Sequence, residues 1–89
     1  MGGIKMFDKK IKFKAKISYT MGENHPDRKY ISDFSTSKIF TFEDVYIFDY
    51  GMYSIDEIKA YIKHDLMLVA GGGYNTKNVC NAAFEIEQI

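Results

Sequence analysis

A strict alternation from Lys10 to Met21 constrains this chain more than any other feature. Ile11, Phe13, Ala15, Ile17, Tyr19 and Met21 share one parity, and Lys10, Lys12, Lys14, Lys16, Ser18 and Thr20 share the other. Successive side chains of an extended backbone point to opposite faces, so the pattern predicts a long strand with one face in the core and the other in water. Turn chemistry follows in Gly22-Glu23-Asn24-His25-Pro26-Asp27, where Pro fixes φ and Asn and Asp bond their own backbone. A return strand is expected from Lys29 to Ser35, and Ser35-Thr36-Ser37 reads as a second loop.

Ile39 to Tyr50 is dense in aromatic and β-branched residues. Its alternation runs through Phe40 and Phe42 and then changes parity across Glu43-Asp44 to Val45 and Ile47. A one-residue slip of this kind predicts either one bent strand or two short ones, closed by Gly51. Next, Ser54-Ile55-Asp56-Glu57 has the form of a capping box, in which Ser54 and Glu57 satisfy each other's free backbone amides. Ile55, Ile58, Ile62, Leu66 and Val69 form one apolar stripe behind it, and Gly71, Gly72 and Gly73 supply a left-handed stop.

Asp65 breaks the stripe, since the helical period puts it between Ile58 and Tyr61 on the apolar face. Two readings follow. In one, the helix ends near His64 and Leu66 to Ala70 is a buried strand. In the favoured one, the helix continues and Asp65 is a partly buried structural carboxylate. Its donor would then be a tyrosine hydroxyl, the glycine-loop amides or Lys77, anchoring the Gly71 to Lys77 loop. The tail from Val79 to Ile89 alternates again, with Cys80, Ala82, Phe84 and Ile86 on the apolar parity.

The expected fold is α+β: a small antiparallel sheet of four to five strands with one helix packed on one face, in the order β-β-β(β)-α-β. A single domain should span residues 1–89, with residues 1–9 as a loose N-terminal arm. Composition agrees with a globular chain, because 46% of its 89 residues are hydrophobic and 12 basic residues balance 12 acidic ones. The longest uncharged apolar-rich run, Leu66 to Tyr74, holds three glycines and falls far short of the roughly 20 residues that span a bilayer. Lysines recurring through Lys16 leave no signal-peptide core, and the single Cys80 has no intramolecular disulfide partner, so a cytoplasmic location is expected.

Several motifs carry candidate chemistry. Lys10, Lys12, Lys14 and Lys16 would project from one strand face about 6.6 Å apart, a spacing that suits a phosphate backbone. Charge is split along the chain: residues 1–30 carry 8 basic and 3 acidic groups, and residues 31–89 carry 4 basic and 9 acidic. The plainer reading is a solvated face whose lysines pair with Glu85 and Glu87 or with Glu43 and Asp44. Tyr46, Phe48 and Tyr50 form an aromatic strand segment that opens like the shorter signature strand of RNA-recognition-motif domains, which it resembles over three or four residues. Asp49-Tyr50 stands where that family has Asn-Leu, its second signature is missing, and aromatic packing accounts for the segment. His25-Pro26-Asp27 spells the loop tripeptide of J-domain co-chaperones, but a strand rather than a helix precedes it here. Gly71 to Lys77 lacks the spacing of a phosphate-binding loop.

His25, His64 and Cys80 show no metal-ligand spacing, so neither metal nor cofactor is expected. With Cys80 on an apolar parity, a nucleophilic role is not expected either, and the chain reads as non-enzymatic. The leading expectation is a protein-binding module of inhibitor or adaptor type. Lys, Ile, Tyr, Phe and Asn, all encoded by AT-rich codons, make up 40 of the 89 residues. That bias suits a phage or mobile element of a low-GC bacterium, and an anti-defence protein of the anti-CRISPR kind acting on a host protein would fit the size. The alternative is a nucleic-acid-binding protein using the lysine face, and a homodimer through an edge strand is compatible with both.

Overall fold

The computed structural model describes residues 9–33, 35–73 and 76–89. Three strands and one helix follow one another as β1 (Lys10–Met21), β2 (Ile39–Asp49), α1 (Ile55–Ala70) and β3 (Val79–Gln88). They build one antiparallel sheet in the order β2-β1-β3, so the alternating lysine strand lies at its centre. Phe13, Ala15 and Ile17 are almost fully buried, and Tyr19 and Met21 nearly so. The helix covers this face with Ile58, Ile62, Leu66 and Ala70, while among the described residues no element covers the opposite face of the sheet.

The sheet is smaller than expected. Among the described residues no strand occurs between Lys29 and Ser35. Pro26–Tyr30 forms a 3₁₀ turn instead, capped by His25, whose Nδ1 accepts the Asp27 N–H at 3.0 Å. Both edges of β1 are taken by β2 and β3, so the segment cannot pair back on β1, and Pro26, which has no N–H to donate, starts a turn there instead. The order is therefore β-β-α-β. The expected loose arm falls, apart from Lys9, outside the described residues.

β2 differs from expectation in another way: it is one unslipped strand. Its register with β1 is continuous from Lys10 opposite Asp49 to Thr20 opposite Ile39. Phe40, Phe42, Asp44, Tyr46 and Phe48 therefore share the helix-facing side, and Val45 and Ile47 stand exposed on the lysine side. The parity change seen in the sequence is a polar residue at an inward position, not a bulge.

A real bulge sits in β3. Ser18 opposes Ala83, but Thr20 opposes Cys80, so two residues of β3 face one of β1. Asn81 takes φ of 52° there, in the left-handed region that Asn tolerates, and its Nδ2 donates to Thr20 Oγ1 at 3.1 Å. The bulge shifts the strand's phase and turns Cys80 outward. Cys80 is exposed, contrary to the parity read from the sequence.

α1 runs the full length favoured from the sequence, and residues 66–70 are helical. The capping box is complete: Ser54 Oγ accepts the Glu57 N–H at 3.1 Å, and the Ser54 N–H donates to Glu57 Oε1 at 3.2 Å. At the other end Gly72 N–H donates to the Val69 carbonyl and Gly73 N–H to the Leu68 carbonyl, the paired bonds of a Schellman stop. Gly72 has φ of 79°, and a Cβ there would lie 2.6 Å from Pro26 Cγ, so the stop also permits close approach of the β1–β2 connection. The buried stripe is Ile58, Ile62, Leu66 and Ala70; Ile55 and Val69, expected inside it, lie on its exposed rim.

Candidate docking surface

The structure divides the residues singled out from the sequence between two faces. Lys10, Lys12, Lys14 and Lys16 line the bare side of the sheet, as the alternation predicts. Acids flank them on both neighbouring strands. Lys10 pairs with Asp49, Lys14 lies 4.0 Å from Glu43, and Lys16 lies 3.6 Å from Glu85, with Glu87 directly opposite Lys14. The bare face thus holds four lysines beside four carboxylates, and these exposed pairs are each worth at most about 1 kcal/mol.

Tyr46 and Phe48 sit on the opposite side, half-buried under the helix. Phe48 packs edge-on against Phe13, with centroids 6.4 Å apart. Tyr50 lies just past the end of β2, exposed, with Lys9 Nζ 5.7 Å above its ring. The lysines and the aromatic trio therefore do not form one site.

Tyr46 has a defined partner. Its hydroxyl donates to Asp65 Oδ2 at 2.6 Å, joining β2 to the middle of α1. Burial and this bond push the Tyr46 phenol well above its ordinary range, which keeps it a donor. Asp65 therefore ties the helix to the sheet through a tyrosine hydroxyl, one of the donors expected from the sequence. The C-terminal end of α1 is held by His25, only 3% exposed. With Nδ1 occupied by the Asp27 amide, Nε2 carries the ring proton and donates to the Ala70 carbonyl at 2.5 Å. Gly22 N–H to the Asn78 carbonyl at 2.8 Å completes the tie.

One concave feature among the described residues lies where α1 begins and β2 ends. Phe48, Tyr53, Glu57, Ile58 and Tyr61 line an open recess of about 400 Å³. The Phe48 and Tyr61 rings meet at 89° with centroids 5.7 Å apart, so they form adjacent walls. Tyr53 is 52% and Tyr61 56% exposed, and the connection from β2 adds exposed Tyr50 and Met52. Contiguous exposed apolar side chains mark contact surfaces, whereas single ones such as Tyr30 and Ile39 are ordinary. Sequence reasoning gave Glu57 and Tyr61 only structural places and passed over Tyr53. The available signal was the run Tyr50-Gly51-Met52-Tyr53 in a connection, where no core requires aromatic residues.

Among the described residues no group of three His, Cys, Asp or Glu side chains is placed to hold a metal ion, and no helix is long and apolar enough to cross a membrane. Comparison of the chain with protein-family models, with curated proteins and with solved structures finds no match.

Proposed function

We propose that the protein is a small non-enzymatic binding module, an inhibitor or adaptor, that docks a partner protein on the aromatic end of the molecule. The carrying observation is the recess of Phe48, Tyr53, Ile58 and Tyr61, with exposed Tyr50 and Met52 in the connection that leads to Tyr53. Aromatic residues and Met are enriched at the centres of protein interfaces, because they bury much area at little conformational cost. The nucleic-acid reading draws less support, since four carboxylates beside the lysine stripe oppose the charge that phosphate binding requires. A host protein as target, and an anti-defence role, stay part of the proposal on the grounds of size and composition alone.

Affinity capture of the tagged chain from lysate of its source cell, with and without nuclease, tests the reading. Recovery of a stoichiometric protein that survives nuclease treatment is the expected result. Recovery only of nucleic acid, or of proteins lost on nuclease treatment, would replace it with the lysine-face alternative.

A further inference from the structure

We propose that the recess at the start of α1 accepts a cationic side chain, a lysine or arginine, from the partner polypeptide. This assignment rests on the docking reading and names the chemistry the surface selects. Three aromatic rings, one carboxylate and one aliphatic side chain line the recess. Aromatic faces carry negative quadrupole density and attract ammonium and guanidinium groups, and Phe48 and Tyr61, an edge-to-face pair, are two of the rings that line the recess. Glu57 adds a full negative charge. Its Oε1 receives the Ser54 N–H, and a carboxylate retains acceptor capacity beyond one such bond.

The helix start opposes a cation with roughly half a positive charge, but Asp56 and Glu57 both lie in the first turn and outweigh it. Among the described residues, the cation–ring contacts of Lys9, Lys29, Lys38 and Lys63 fall on Tyr50, Tyr30, Phe40 and Phe84. The recess combines exposed tyrosine rings with a carboxylate, which is complementary to a long basic side chain with an apolar stem.

The test uses ¹⁵N-labelled protein titrated with two short peptides, acetyl-Leu-Lys-Leu-amide and its glutamine counterpart, following the amides of Tyr53, Glu57 and Tyr61. The lysine peptide should shift these amides and bind about three- to tenfold more tightly than the glutamine peptide. Tyr61→Leu, which keeps an apolar side chain on the helix, and Glu57→Gln, which keeps the capping pair, should each erase most of that preference. Equal binding of the two peptides would overturn the cation assignment and leave the docking surface standing. Absence of shifts at the recess with either peptide, up to tens of millimolar, would also overturn it, and capture of a protein partner would still decide the broader reading.

Discussion

Asp65 occupies a position that the helical period reserves for an apolar side chain, and the Tyr46 hydroxyl is what makes it tolerable there. The conflict was legible in the sequence, but the partner was not, because Tyr46 is brought to Asp65 only by the register of β2 and the placement of the helix. Tyr46→Phe leaves the carboxylate without this donor and should cost about 1 to 2 kcal/mol, read from denaturant midpoints. Asp65→Asn keeps an acceptor for the same hydroxyl and should retain most of the stability. The phenol's raised ionisation sets a pH dependence. Its contribution is present below the unfolded value near pH 10 and is lost as pH climbs above that, because only the unfolded chain then readily gives up the proton. Tyr46→Phe should therefore lose stability less steeply above about pH 10 than the parent, with a remainder from Tyr19, whose phenol is also raised by burial and by Asp27.

The elements with local signals were readable and those fixed by pairing were not. β1 announces itself by period two, and α1 by its capping box and glycine stop. The β3 bulge at Asn81 and the straightness of β2 depend on what lies opposite. Asp44 explains the second case. Tyr50 N–H bonds the Lys9 carbonyl, so even-numbered residues of β2 direct their backbone groups to β1 and odd-numbered ones direct theirs out of the sheet. Asp44 Oδ1 accepts the Val45 N–H at 2.8 Å, covering one of those free edge donors. An acid here guards an edge that also exposes Val45 and Ile47. Asp44→Ala should increase concentration-dependent self-association in sedimentation experiments, and an association state unchanged from the parent's would remove this role. Ser54→Ala should cost about 1 kcal/mol, and an unmoved denaturation midpoint would show that the cap contributes nothing.

As a whole the molecule is a three-stranded sheet with one covered and one bare face, and the candidate site lies at the end of the covered face rather than on the lysine stripe. The sequence exposed the stripe because alternation within one strand is a local pattern. It hid the recess because Phe48, Tyr53 and Tyr61 come from a strand, a connection and a helix, and only folding brings them together. The most direct test compares two double variants for retention of the protein captured by the parent chain, with folding of each checked by circular dichroism. Tyr53→Ser/Tyr61→Ser strips the recess, and Lys12→Ser/Lys14→Ser strips the centre of the bare face. Loss of the captured protein with the first and its retention with the second is the expected result, while retention by the recess variant and loss by the lysine variant would contradict the account.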